Sequence, residues 1–428
     1  MKAATGKNAT WLEWLGWSGA GLLGLSTLGT SFGYLGTALM LCWLLVNPKE
    51  LRPVLQWRDM ATLTLLLFSC YVSLLASVAL HLHPGYMQAI ADGYWYYMHI
   101  PLAAIPLACW LSLDMRRIYF LLLLLGVGLV GRILLHMELD AFASPSGERY
   151  GFGFAIIVFG LYMATGILAL LLMGGRLYAS LDHRGLAWSA GIIMMLCVLL
   201  FCYALFLTYS RAAWISLALV APLSLLALSL LKWKRGRGAH GPVLGIMLLC
   251  LCILMLVWVK VPDIKQRLLA NDATISAILS GQWQDLPPDA VGLRMHMTLY
   301  GIERFMDRPM TGWGPGSSRP LLDAHEYLHE ARNVHNAYVH LLMELGVMGV
   351  VFVLLFVGYL LLQVVNSYRH GLIGAELLIW LFGAFIILAL WSFTAIRFDK
   401  ADGRFYLIML LAIMMSLNYA VLRHRASI

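Results

Sequence analysis

Four arginines and one histidine carry the chemistry this sequence can do. Arg132, Arg149, Arg211 and Arg294 fall in or beside polar stretches that separate long apolar runs, and His335 with Asn336 stands at the entrance to another such run. A guanidinium grips phosphate through two parallel N–H donors, and partly apolar surroundings strengthen that attraction well beyond its value in water. An imidazole titrates at about pH 6.5, so a neutral His335 can take a proton from a sugar hydroxyl. Phosphate recognition beside a general base is the chemistry these types imply. Each residue alone also has an ordinary reading. An arginine near a membrane boundary snorkels to lipid headgroups or caps a helix, and a histidine there is satisfied by the helix start it precedes.

Two other groups need placing. Glu344 stands nine residues beyond His335 in the pattern HNxxxxxxxExGxxG, roughly 13 Å along a helix at about 1.5 Å per residue, too far to share a substrate atom with it. It is expected to tie helices together by hydrogen bonds. The run His325-Glu326-Tyr327-Leu328-His329 matches HExxH, a spacing that sets two zinc ligands on one helical face with a glutamate base between them. Charged Asp323 and Glu330 occupy flanks that zinc proteases keep uncharged, and a third ligand is not evident beyond His335 or His340. A solvated amphipathic helix is the preferred reading of that run. The outer loops contain no Asp-x-Asp pair, so no metal and no other cofactor is expected.

The elements that must position these residues are membrane helices. Of 428 residues 61% are apolar and 12% charged, against roughly 45–50% and about 25% in soluble domains. Twelve apolar runs of spanning length can be counted, near 11 to 28, 30 to 46, 61 to 80, 95 to 113, 118 to 136, 152 to 173, 187 to 208, 213 to 231, 243 to 260, 337 to 363, 375 to 395 and 405 to 421. The first two are short enough to form one re-entrant pair. The N-terminal run lacks a small-x-small cleavage site and reads as an anchor. Sorting Lys and Arg by side gives one rich face, with Arg116, Arg117, Arg176, Arg184, Lys232, Arg235 and Arg369, and one poor face; by the positive-inside rule both termini are cytoplasmic. The net charge of +8 therefore belongs to topology and implies no nucleic-acid partner. All seven cysteines lie inside apolar segments and read as packing residues.

The longest polar stretch, Val261 to Asn336, then lies outside. Within it, Asp289 to Asp307 places Met295, Leu299, Ile302 and Met306 on one stripe, the mark of a helix along the membrane surface. A Gly-rich turn, Gly312-Trp313-Gly314-Pro315-Gly316, follows, and then a short helix from Leu321 to Glu330. The expected organisation is 1–260 as nine membrane helices, 261–336 as the outer loop carrying part of the site, and 337–428 as three more membrane helices.

Three stretches taken in order resemble the O-antigen ligase and polymerase superfamily of bacterial membrane glycosyltransferases. They are Thr208-Tyr209-Ser210-Arg211-Ala212-Ala213-Trp214, Pro309-Met310-Thr311-Gly312-Trp313-Gly314-Pro315-Gly316, and His335-Asn336 with Glu344, Gly346 and Gly349, with Arg294 upstream of the Pro-Gly turn. The likeness covers roughly the second half of the chain. It implies an all-α polytopic, GT-C-like fold of about twelve membrane helices with one large helical periplasmic loop. The size and the single dominant outer loop look most like the O-antigen ligase. That likeness implies transfer of O-antigen from undecaprenyl pyrophosphate to the outer-core sugar of lipid A-core, in the bacterial inner membrane, with the active site facing the periplasm and membrane lipids around it. It casts His335, Arg211 and Arg294 as catalytic and Arg149, Arg132, Asn336 and Trp214 as substrate-binding. O-antigen polymerase, protein-directed oligosaccharyltransferase and lipid-linked glycan transporter are the alternatives.

Overall fold

The computed structural model describes residues 7–51, 59–138, 149–179, 183–234, 276, 280–281, 286, 290–329, 331 and 333–426, and among these every regular element is helical. A helix satisfies its backbone polar groups internally, the condition for crossing hydrocarbon. In chain order the helices are α1 (Lys7–Gly24), α2 (Thr30–Val46), α3 (Met60–Leu82), α4 (Met87–Leu111), α5 (Arg116–Leu135), α6 (Ile156–Ala179), α7 (Arg184–Leu207), α8 (Arg211–Lys234), α9 (Ala290–Asp307), α10 (Ser318–Asp323), α11 (Ala337–Arg369), α12 (Ala375–Ser392) and α13 (Ala401–Ala426). The apolar runs anticipated from the sequence coincide with α1 to α8 and α11 to α13; the one at 243 to 260 lies outside the described residues. Eight helices, α3, α5 to α8 and α11 to α13, are long and apolar enough to cross a membrane, and α2 is a shorter apolar helix. The chain is a multi-pass membrane protein.

Helix α13 is the axis of the bundle. Its membrane window is 89% buried, against 28 to 67% for the other seven spans, and it packs against α4, α11, α2 and α6. Away from the candidate site, Asp59 caps α3 through the amides of Ala61 (3.2 Å) and Thr62 (3.3 Å) and accepts from Asn418 Nδ2 of α13 at 2.8 Å. A carboxylate buried in a membrane bundle is tolerated only with such partners.

Two glycine motifs of the sequence meet at a break in α11. Gly346 sits at φ 63°, ψ −172° inside that helix, a region that glycine alone occupies without strain. Trp313 and Gly314 donate their amides to the carbonyls of Met343 and Glu344, both at 2.9 Å. In return the amides of Val347 and Met348 donate to Pro309 and Met310 at 2.9 and 3.2 Å, and Tyr71 of α3 donates its hydroxyl to Leu345 at 2.6 Å. Beneath the break the buried Glu344 carboxylate accepts from Tyr96 (2.6 Å) and Tyr97 (3.1 Å) of α4 and from the Ser318 amide of α10 (3.3 Å), with His340 Nε2 at 3.2 Å. The expectation that Glu344 ties helices together is met.

The surface helix foreseen over 289 to 307 is α9. Leu299, Ile302 and Met306 of its stripe are exposed, while Met297 packs with Leu321, Leu322, Val334 and Met343. The helix expected from Leu321 to Glu330 is corrected: α10 ends at Asp323 and turns follow through His329. Ala324 already closes the helix through bonds to Leu322 and Pro320. His325 and His329 therefore do not share a helical face as HExxH ligation requires. Their Nδ1 atoms instead engage local backbone, the Tyr327 amide (3.2 Å) and the Glu326 carbonyl (2.9 Å).

The break yields a test within one helix. A Cβ at Gly346 would stand 2.4 Å from the Met310 carbonyl oxygen, whereas one at Gly358 meets nothing within 4 Å. Gly346→Ala should lower stability by about 2 kcal/mol or more, and Gly358→Ala should leave it unchanged or raise it by about 0.5 kcal/mol. Thermal unfolding of the two variants in one detergent checks the contrast, and equal melting temperatures would remove the interlock from the account.

Candidate active site

One end of the bundle gathers the segments that sequence reading marked. The stretch before α6 pairs with the turn between α7 and α8: the Tyr150 amide donates to Leu207 at 2.9 Å and Arg149 Nε donates to Thr208 at 3.2 Å. The Thr208 hydroxyl accepts the Ser210 amide at 3.1 Å, and Arg211 opens α8 with its side chain exposed. Arg149 is thus joined to the turn that presents Arg211.

Half-buried Arg294 of α9 faces that same turn. Burial first, and then the charge of Arg211, lower its pKa from the ordinary arginine value, so the two guanidinium groups feel each other. His335 completes the group. Burial, followed by the charges of Arg294 and Arg397, pushes its pKa down to about 4, which leaves the imidazole neutral through the physiological range. Like charges drawn together around a neutral base cost energy until an anion arrives, and that cost marks a site built for one.

The backbone stores strain at the same place. The non-glycine residues with positive φ among the described ones are Phe152 (51°), Tyr209 (47°) and His335 (52°), and they lie in the stretch before α6, in the α7–α8 turn and just before α11. Such conformations cost about 1 kcal/mol or more each and persist where surrounding structure enforces them. For His335 the enforcement is visible: its amide donates to Asn333 Oδ1 at 3.0 Å, and Asn336 caps α11 by accepting from Tyr338 (3.1 Å) and Val339 (3.2 Å).

The structure therefore brings Arg211, Arg294 and His335 into one electrostatic cluster and joins Arg149 to its edge. Arg132 is set apart. It is buried in the last turn of α5, where Nε donates to Phe152 at 2.8 Å, Nη1 donates to Leu28 at 2.6 Å, and the guanidinium lies 3.5 Å from the Phe154 ring centre. Asn336 spends its side-chain oxygen on the helix cap. Trp214 donates its indole N–H to Leu205 at 3.0 Å and stacks on Phe206, bracing the α7–α8 hairpin that presents Arg211.

Arg397 is the residue that sequence reading missed. It lies in the segment between α12 and α13, half-buried, and its charge acts on His335. The signal was present: Arg397, Lys400 and Arg404 stand close together in and just beyond a connection on the side expected to be poor in positive charge. Among the described residues no group of three or more His, Cys, Asp or Glu is placed to hold a metal ion.

Fold and site together define a multi-pass membrane protein with a cationic centre around a neutral imidazole at one end of its bundle. Residues 195–354 match the family model described as O-Antigen ligase, and that match supports a member of the O-antigen ligase/polymerase superfamily. No curated protein matches the chain in sequence. The matched stretch runs from α7 into α11 and holds Arg211, Arg294, His335, Glu344 and Gly346, while Arg132, Arg149 and Arg397 lie outside it. The match points to a membrane enzyme of glycosyltransferase type.

The electrostatics of His335 can be read directly. Its resonance in histidine-labelled protein should titrate at about pH 4, and Arg397→Gln should move the midpoint up towards the ordinary 6.5. Because the folded value lies below the unfolded one, the unfolded chain takes up the extra proton first. The stability contribution is intact above pH 6.5 and is lost as pH falls through 4. A midpoint of 6.5 in the unaltered protein would mean that the ring is neither buried nor faced by the arginines.

Proposed function

We propose that this chain is an O-antigen ligase that transfers O-antigen from undecaprenyl pyrophosphate to the outer-core sugar of lipid A-core on the periplasmic face of the bacterial inner membrane. In this reading both termini are cytoplasmic, and 261–336 is the outer segment between membrane parts 1–260 and 337–428. The observation that carries it is the cluster of Arg211, Arg294 and Arg397 about neutral His335. An apolar cavity of about 270 Å³ supports it; Leu65, Phe68, Phe352, Leu388 and Leu407 line its walls, and Tyr338 and Arg397 are also among its lining residues. The apolar walls suit the isoprene units nearest the pyrophosphate, with Arg397 at the cavity lining.

Transfer is one inverting displacement. His335 takes the proton of the acceptor hydroxyl while that oxygen attacks the anomeric carbon from the face opposite the leaving group. The bond from the anomeric carbon to the phosphate oxygen breaks as the new glycosidic bond forms. Undecaprenyl pyrophosphate departs with the bonding pair, and Arg211 and Arg294 stabilise the charge that develops on that oxygen. Burial lowers the His335 pKa most, and pyrophosphate among the arginines offsets the charges that lower it further, so donor binding raises the basicity of the group that must act next.

Three outcomes follow for purified protein in nanodiscs supplied with donor and lipid A-core. His335→Ala should lower kcat by about 10²- to 10⁴-fold, the usual contribution of a positioned base, while the protein remains folded. Arg211→Lys should lower kcat/KM roughly tenfold or more, since an ammonium lacks the fork, and a chelator should leave the wild-type rate unchanged. Chain extension of the donor glycan without transfer to lipid A-core would identify a polymerase. Transfer to protein, or movement of intact donor across the bilayer, would move the assignment to those activities.

A further inference from the structure

A second cavity, polar where the first is apolar, opens beside Arg397. It has a volume of about 660 Å³ and lies between the α1–α2 turn, the end of α5, the stretch from Gly153 to Ala155 and the segment from Arg397 to Asp402. Three permanent cations line it, Arg132, Arg397 and Lys400, against one carboxylate, Asp402. That carboxylate is already engaged: it accepts from the Gly403 amide at 2.9 Å and the Ala155 amide at 3.3 Å. Arg397 Nε is buried without a hydrogen-bond partner among the described residues. A buried guanidinium N–H left unmatched costs free energy that an incoming acceptor atom recovers.

Position decides what the cavity serves. Arg397 lines both cavities and its charge reaches His335. In the proposed reaction the leaving pyrophosphate belongs to Arg211 and Arg294, and the second substrate must bring a hydroxyl to His335 by another approach. The polar cavity adjoins Arg397, the residue whose charge acts on His335. A Cβ at Gly153 would stand 2.7 Å from the His136 ring and 3.0 Å from Arg132 Nη2, so the glycine keeps the space between those side chains open.

We propose that this cavity binds an anionic substituent, a phosphate or carboxylate, carried on the sugars of the acceptor, and so holds the acceptor hydroxyl beside His335; the proposal rests on the glycosyl-transfer reading above. The excess of cations selects negative charge, the oxygen acceptors of the substituent satisfy the unmatched guanidinium N–H, and the volume admits a substituted sugar rather than a bare ion. The same phosphate chemistry could be supplied by a phospholipid headgroup, and the test separates the two sources.

The test is steady-state transfer in nanodiscs with a phosphorylated acceptor and its dephosphorylated counterpart, comparing wild type with Lys400→Glu. Lys400 is exposed, which favours folding of the variant, and Lys400→Gln is a milder second substitution. Wild type should show a KM roughly tenfold lower for the phosphorylated acceptor, in line with loss of a charge-assisted contact. Lys400→Glu should erase that preference while the donor KM holds, and Lys400→Gln should fall between. A preference unaltered in both variants would overturn the proposal, as would equal KM changes for the two acceptors. Raising the nanodisc content of anionic phospholipid should leave the wild-type acceptor KM unchanged. A rise that Lys400→Glu abolishes would assign the cavity to lipid headgroups and overturn the acceptor proposal. If wild type transferred glycan to neither acceptor, the glycosyl-transfer reading would fail first; transfer without charge preference defeats only the cavity.

Discussion

Helix α11 interrupts its own hydrogen bonding at Gly346, and the geometry of the site depends on that interruption. A continuous helix would bond Met343 to Val347 and Glu344 to Met348. Here both pairs are exchanged for four bonds to the 309–316 turn. The turn follows α9, which carries Arg294, and leads into α10, while His335 stands one residue outside the cap of α11. Locking turn to helix thus fixes Arg294 relative to His335 although about forty residues lie between them in sequence. Glu344 reinforces the lock from below, since its carboxylate reaches α4, α10 and His340 at once. Removing such a buried acceptor would leave several donors unmatched together.

Positioning and chemistry are divided among the residues. Trp214, Asn336 and Arg132 look like ligand-binding types in sequence, yet each devotes hydrogen-bonding groups to the backbone. Trp214 steadies the turn that presents Arg211, Asn336 caps the helix that follows His335, and Arg132 joins α5 to the α1–α2 turn and to Phe152. Strain at Tyr209 and His335 is sustained by these bonds. Preorganisation of this kind is what an electrostatic site requires, because donors that must reorient during reaction lose much of their effect.

How much was legible in the sequence follows from the range of each signal. Hydropathy is local, so the membrane helices and the stripe on α9 could be read from it. The order of the glycine motifs was visible, but that Gly312 and Gly346 answer each other across the fold was not, because pairing is a tertiary fact. The helix expected from Leu321 to Glu330 failed because periodicity over a few residues cannot see that the chain turns after Asp323. Arg397 escaped because it follows α12 in a short connection bearing no motif, although its charge there was an exception to the insertion rule like those of the other arginines. Proximity to His335 alone distinguishes it.

The arrangement also orders the proposed reaction. A base with a pKa of about 4 draws a proton weakly until its surroundings change. Burial weakens it most, and the charges that weaken it further, those of Arg294 and Arg397, are ones that a bound anion neutralises. Donor binding therefore does two things with one set of contacts: it places the leaving group and releases His335 from the positive field. Acceptor bound before the donor would meet an imidazole of low basicity, so the productive sequence runs through the donor complex. Such coupling needs no conformational change, because the charge of the substrate alone alters the field at the ring.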